Sequence, residues 1–245
     1  MTPDELEKLP KPLERIMRDL EMSIMQEIIE RIKAVAQITP VTDWLLVRLS
    51  AIGTSKARIK RMIGESLIES DLRVDDIYEQ AVRSDFVRYK EIYEAVGRDY
   101  RPYGENKWLQ QVVETARRQT KDSLRPMENI TQTMGFNVPV GGGKKVFTPL
   151  SEYLERSMDK AMMGIVTGSK TYSQPVGDVI DEMTASGIRT VDYASGKSDR
   201  IEVAARRAVM TGVAQMTDKV NEKNAEELGT DDWEVDWHMG ARNIG

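Results

Sequence analysis

Apolar residues recur at helical spacing in the C-terminal third of the chain. Two rows of small or apolar residues run side by side from Arg200 to Leu228. The first row contains Ala204, Ala208, Gly212, Met216, Val220 and Leu228, and the second contains Ile201, Ala205, Val209 and Val213. Glycine inside a helix costs roughly 1 kcal/mol relative to alanine, so Gly212 predicts that another backbone packs closely against this helix.

Capping signals mark both ends of this helix. Asp199 stands three residues before Glu202, which is an acidic version of the capping box, and predicts a helix start near Arg200. Gly229 follows the last apolar position and can adopt the left-handed conformation of a helix C-terminus. We therefore expect one long helix between these two residues.

Alternating patterns flank the long helix on both sides. Before it, Val191 and Tyr193 alternate with polar residues and residues 194–197 have turn chemistry, which predicts a hairpin. After it, a second alternating set predicts a half-buried strand: Trp233, Val235 and Trp237. Hairpin, long helix and Trp-containing strand together predict a small α+β unit. Because the chain ends at Gly245, soon after the strand, we expect this unit to be incomplete at its C-terminus.

Amphipathic helices follow one another in the N-terminal part. The first, Leu13 to about Val35, is apolar on two sides, which predicts burial, more within the chain than against a neighbouring subunit. Thr39-Pro40 is expected to break it. Glycine, proline and capping residues then divide the rest into further helices, which we expect up to Gly53, at 56–68, from 75 or 76 to about 96, at 106–124 and at 127–134.

The segment 137–149 is rich in residues that interrupt regular structure, including Pro139 and three consecutive glycines at 141–143. A phosphate-binding loop would need Gly at position 138 and Ser or Thr at position 145, where this chain has Val and Lys. We therefore predict a flexible loop or a hairpin tip.

This segment is also the predicted domain boundary. An N-terminal helical region, 1–136, would be joined by the Gly-rich linker 137–149 to a helical and α+β unit, 150–245. Two helices starting near Leu150 and Ser173 precede the hairpin of that unit. The predicted fold class is mainly α, with a multi-helix N-terminal region followed by a small α+β unit.

Composition narrows the possible functions. The chain has no cysteine, which excludes disulfides, a thiolate nucleophile and cysteine-based metal sites. No stretch approaches the roughly 20 apolar residues that span a bilayer, and the acidic N-terminus does not resemble a signal peptide. A net charge of −5 argues against a nucleic-acid-binding function spread over the whole surface. We expect synthesis and storage in the cytoplasm of the cell that makes the protein.

Candidate catalytic chemistry is sparse. The single histidine, His238, lies beside Asp236, and the two could act as base and orienting carboxylate or as two metal ligands. A structural or solvent-exposed role is the favoured interpretation, because one histidine without cysteines supplies too few of the usual ligands for a metal ion. No nucleophile elbow or dinucleotide-binding glycine pattern occurs. The prediction is therefore a protein that is not an enzyme and needs no cofactor or metal.

Candidate binding residues lie on the long helix. Arg206 and Arg207 project on neighbouring faces, so that one can pair within the fold while the other is free for a partner. Internal salt bridge and interface role are equally good interpretations. The small residues Ala204, Ala208 and Gly212 are the corresponding candidates for close contact with a partner.

A basic patch lies on the predicted helix 56–68. It consists of Lys56, Arg58, Lys60 and Arg61, and it could contact DNA phosphates. A solvated helix face is the favoured interpretation of the same residues.

Several separate blocks of sequence resemble the family Phage minor capsid protein 2 of tailed bacteriophages. They occur in the family's order, and they are residues 38–53, 105–136, 191–200, 206–212, 224–229 and 238–242. The long helix followed by a Trp-containing strand is also similar to the Mu-F-type head morphogenesis proteins. In the family, the block at 238–242 is usually followed by a further His and a Trp-Gln-Gly-Lys stretch, and this chain ends at Gly245 without them.

The resemblance implies a minor structural protein inside the phage head, close to the portal, that assists assembly or DNA packaging and ejection. The implied partners are the portal protein, the major capsid protein or both. Whether the chain also contacts packaged DNA or further copies of itself is left open by the resemblance. Two alternatives remain at this point. One is a DNA-binding helical protein that uses the basic patch. The other is the non-catalytic N-terminal part of a longer enzyme or toxin, completed by sequence beyond Gly245.

Overall fold

The computed structural model describes residues 3–36, 41–167, 173–192 and 197–230. The predicted Trp-containing strand and His238 lie outside these ranges, as does the turn of the predicted hairpin. The described elements are α1 (Pro3–Lys8), α2 (Lys11–Ala36), α3 (Val41–Ala95), α4 (Lys107–Leu124), β1 (Met134–Gly141), β2 (Lys144–Pro149), α5 (Leu150–Val166), α6 (Ser173–Ser186), β3 (Arg189–Asp192), β4 (Lys197–Arg200) and α7 (Ile201–Leu228). Short 3-10 helices lie at Tyr103–Glu105 and Arg125–Glu128. The predicted mainly α class with a small α+β unit is confirmed.

Helix α2 lies at the centre of the molecule. It contacts α3, α5, α6 and α7, and Leu13, Met17, Ile24 and Ile28 on it are completely buried. A helix that is apolar on more than one side must be covered on each of them, because exposed apolar surface costs about 25 cal/mol per Å². The predicted burial of this helix within one chain is confirmed for these side chains.

Helix α3 corrects the prediction of three separate helices between residues 43 and 96. It continues through Gly53 and through the acidic residues at 75 and 76 as one helix of 55 residues. Ser55, directly before the predicted helix 56–68, does not cap a new helix, because its buried hydroxyl donates to Glu27 of α2 at 2.7 Å. A continuous buried row that packs against α2 and α4 offsets the cost of the interior glycines: Ile59, Ile63, Leu67, Val74, Ile77 and Ala81.

The segment after α4 also differs from its prediction. The start of α4 is as expected, since the Asn106 side chain accepts a hydrogen bond from the Leu109 N–H at 3.1 Å. The short helix expected at 127–134 is replaced by the 3-10 helix and a turn. In that turn Asn129 Oδ1 accepts from the Thr131 N–H at 3.2 Å, an Asx turn that competes with continued helix.

The segment predicted as a Gly-rich linker lies in a β-hairpin. Strands β1 and β2 pair antiparallel with Phe136 opposite Thr148, and the three glycines at the tip have positive φ angles. The four strands form one antiparallel sheet in the order β2-β1-β3-β4. Phe136 is fully buried against Tyr153 of α5, with ring centroids 4.5 Å apart. Of the two predictions for this segment, a flexible loop or a hairpin tip, the hairpin is confirmed, and the core that it covers contains described residues from both sides of the segment.

Helix α7 begins and ends where the sequence predicts, but its capping residue differs. Gly229 closes it with φ +68° and donates its N–H to the Ala225 carbonyl at 2.9 Å. At the other end Arg200 occupies the N-cap position, and no side chain caps the helix there. Asp199 lies in β4, and its carboxylate forms an ion pair at 2.6 Å with Arg207 in the second turn of the helix instead of capping the first turn.

The close approach predicted at Gly212 is present inside the molecule. Gly212 is buried against Tyr78 of α3 and Thr120 of α4, and a Cβ at this position would overlap both side-chain oxygens. Neither oxygen can move away easily, because Tyr78 and Thr120 are themselves buried and hydrogen-bonded to each other at 2.8 Å. Glycine at this position lets α3, α4 and α7 meet.

Gly212→Ala should lower the free energy of unfolding by about 1–3 kcal/mol, although alanine favours helix, because the new methyl group overlaps the Tyr78 and Thr120 oxygens. Gly177→Ala is the matched control, since Gly177 also lies inside a helix and nothing lies within 4 Å of its added Cβ. The control should be neutral or stabilising by up to about 1 kcal/mol. Urea denaturation measures both variants, and equal effects would contradict the close packing.

Candidate functional site

The basic patch of α3 is divided by the fold. Lys56 forms an ion pair with Glu155 of α5 at 2.5 Å, and Arg58 forms one with Glu27 of α2 at 3.1 Å. Lys60 and Arg61 are exposed and have no hydrogen bond or ion pair to another residue of the described ranges. Two of the four cations therefore join helices of the same chain.

Glu27 is the centre of a buried polar cluster that sequence analysis did not single out. Ser55 and Arg31 donate to Glu27 Oε1 at 2.7 and 2.9 Å, and Arg58 donates to Oε2 at 3.1 Å. Burial acts to raise the pKa of Glu27, but the hydrogen bonds from Ser55, Arg31 and Arg58 outweigh it, and the pKa lies below its ordinary value. The ionised carboxylate thus connects α2 to α3.

Arg206 and Arg207 are both paired within the fold, so the internal salt bridge, one of the two interpretations, is present for each of them. Arg206 donates to Glu14 Oε1 of α2 at 3.0 Å, and Arg207 pairs with Asp199. Burial acts to raise the pKa of Glu14, and hydrogen bonds from Arg206 and Lys11 lower it below its ordinary value. A role of the two arginines in binding another protein stays a prediction.

The small residues of α7 border a cleft of about 670 Å³ between α4, α7 and β3. Ala204 and Ala208 lie half-buried on its wall, while Gly212 is covered by the side chains of Tyr78 and Thr120. The close contact made possible by Gly212 is therefore taken up within the chain. Ala204 and Ala208 remain partly accessible from the cleft.

A second polar contact fastens the end of α3 to the C-terminal half of α7. The Tyr93 hydroxyl donates to Glu227 Oε2 at 2.8 Å and to Asn224 Oδ1 at 3.2 Å, and one turn earlier Tyr89 donates to Asn221. Burial, followed by the neighbouring Glu227 carboxylate, raises the pKa of Tyr93 well above its ordinary value. The separation of more than 130 residues along the chain explains why no local pattern revealed this contact.

No group of three or more histidine, aspartate or glutamate side chains in the described ranges is placed to hold a metal ion. No helix within them is long and apolar enough to cross a membrane.

The polar side chains described above connect helices to one another, and together with the shared core they define a mainly helical protein with a small β-sheet. The chain belongs to the family Phage minor capsid protein 2, whose model matches residues 1–244. It is a structural protein of a bacteriophage virion, and the resemblance seen in the sequence is confirmed. Comparison with curated proteins and with solved structures gives no significant match.

Glu27→Gln should lower the free energy of unfolding by about 1–3 kcal/mol at neutral pH, because it replaces a buried carboxylate that accepts three hydrogen bonds. Since the folded pKa of Glu27 is lowered, its stabilisation is present above the unfolded pKa of about 4.3 and is lost as the pH falls through the folded value. The variant should therefore lose less stability than the wild type on acidification.

Glu30→Gln is the matched control, one turn further along α2 and exposed to solvent. It should change the free energy of unfolding by less than about 0.5 kcal/mol. Urea titrations between neutral and acid pH compare the two variants. A parallel acid dependence of wild type and Glu27→Gln would show that the carboxylate contributes no pH-dependent stability.

Proposed function

We propose that this virion protein lies inside the phage head near the portal vertex and assists head assembly or DNA packaging and ejection through protein–protein contacts. The observation that carries the proposal is the family match over residues 1–244, which makes the chain a structural component of the particle. The portal protein and the major capsid protein are the proposed partners.

The distribution of exposed apolar side chains supports docking onto other proteins. Ile68 and Leu72 of α3 are exposed, and so are Val140 and Val146 near the tip of the β1–β2 hairpin. Exposed apolar side chains that cluster on one element are typical of interaction surfaces. Helices joined by a common core and by ion pairs between α2 and α3 and between α2 and α7 provide a rigid support for such surfaces.

We propose that the protein acts without catalytic turnover. The described acidic side chains nearest the candidate residues are engaged in structural contacts: Glu14 with Arg206, Glu27 with Arg31 and Arg58, Glu155 with Lys56, and Asp199 with Arg207. Side chains held in this way fix the geometry of the helices, which suits an assembly role.

The test is cryo-electron microscopy of purified particles, together with co-purification of this chain with separately expressed portal protein. We expect density that fits α2, α3 and α7 at the portal vertex, and a complex that survives gel filtration. Portal protein expressed alone is the control for the density. Complete, infectious particles that lack the chain, with no complex in vitro, would contradict the proposal.

A further inference from the structure

The outward face of α3 exposes large apolar side chains. Ile68 and Leu72 are 66% and 60% exposed, although they lie one turn apart in the middle of a long helix that is buried on its other side. Between residues 53 and 64 the same face carries three small residues, Gly53, Ala57 and Gly64. Ala57 is exposed, and nothing lies within 4 Å of a Cβ added at Gly53 or Gly64. One face therefore combines two projecting side chains with an open, shallow stretch.

These residues follow the spacing of a helix-pairing seam. At steps of three and four positions the outward face presents Gly53, Ala57, Arg61, Gly64, Ile68 and Leu72. Gly53 and Ala57 lie on one side of the midpoint of the seam, Ile68 and Leu72 lie on the other side, and Gly64 lies next to the midpoint. A partner helix that fits it must have its large residues at the opposite end.

A second copy of α3 in antiparallel orientation meets this requirement. With the two-fold axis between Met62 and Ile63, Leu72 lies opposite Gly53 of the partner subunit, and Ile68 lies opposite Ala57 of the partner subunit. Arg61 then lies opposite Gly64 of the partner subunit, which leaves room for its long side chain. By symmetry each contact occurs twice, as in an isologous dimer.

The charges along the seam favour the same arrangement. Arg61 and Glu65 are both exposed, and neither has a hydrogen bond or ion pair to another residue in the described part of the chain. In the antiparallel pair, Arg61 lies beside Glu65 of the partner subunit, so two ion pairs flank the axis. A parallel pair would bring Arg61 against Arg61 of the partner subunit and glycines against glycines, which gives repulsion and empty space.

We propose that residues 53–72 of α3 form a self-complementary interface through which two copies of this chain pair antiparallel. The contact length is about 30 Å at 1.5 Å per residue, which places the dimer among small, reversible interfaces. The dimer rests on the proposed function only in the sense that the particle would use it during assembly. Dimerisation is measured on the isolated chain. A chain that stays monomeric would therefore refute the interface, whereas particles that lack the protein would refute the proposed function.

Site-specific cross-linking tests the orientation directly, because the chain contains no cysteine of its own. Ala57→Cys and Ile68→Cys chains, made separately and mixed, should form a mixed cross-linked dimer with a short thiol cross-linker. Ala57→Cys alone should cross-link poorly, because the two Ala57 positions are about 16 Å apart along the antiparallel pair. Efficient cross-linking of Ala57→Cys alone, or none in the mixture, would overturn the proposed pairing.

A charge exchange tests the register. Arg61→Glu and Glu65→Arg should each weaken dimerisation at least tenfold in sedimentation equilibrium across the micromolar range, and the double variant should restore it. Lys90→Glu is the control, because Lys90 is exposed on α3 outside the interface and should leave dimerisation unchanged. Unchanged circular dichroism separates lost pairing from lost folding. A wild-type chain that stays monomeric, or single variants that pair normally, would refute the interface.

Discussion

The burial of α2 is the constraint on which the rest of the structure depends. A helix with apolar residues on more than one side cannot be stable beside only one neighbour, since each uncovered side leaves apolar area in water. In this protein α3, α5, α6 and α7 all contact α2, and they come from both halves of the chain. The β-sheet is tied to the same helix, because Glu21 accepts a hydrogen bond from the Ile188 N–H at 2.7 Å.

Polar residues inside this arrangement decide how the helices are aligned. A buried carboxylate must be satisfied, and Glu27 is satisfied only when Ser55, Arg31 and Arg58 are all in reach. This requirement aligns α2 with α3 at the position where glycine and serine would otherwise favour a helix break. In the same way, the hydroxyls of Tyr78 and Thr120 form a buried contact over Gly212, where α3, α4 and α7 meet.

These internal contacts leave a defined set of features for interaction with other molecules. Arg206, Arg207, Lys56 and Arg58 are engaged within the fold, so the charged candidates seen in the sequence mainly stabilise the chain itself. Apolar side chains on the outer face of α3 and at the hairpin tip remain exposed. In a protein of a phage particle, such surfaces are where contacts with other subunits are expected.

Local patterns in the sequence determined the mainly α class, the extent of α2, the end of α7 at Gly229 and the need for close packing at Gly212. They did so because hydrophobic period, capping and glycine conformation act over a few residues. Only the tertiary structure decided that α3 is continuous, which of the two alternatives for 137–149 forms, and that both arginines of α7 are internally bound. Each of these depends on partners far away in the chain: Glu27 for Ser55, Tyr153 for Phe136, and Glu14 for Arg206. A residue's local conformational preference is overridden when burial against such a partner, or a hydrogen bond to it, contributes more free energy than the preference does. The sequence alone does not show where that partner lies.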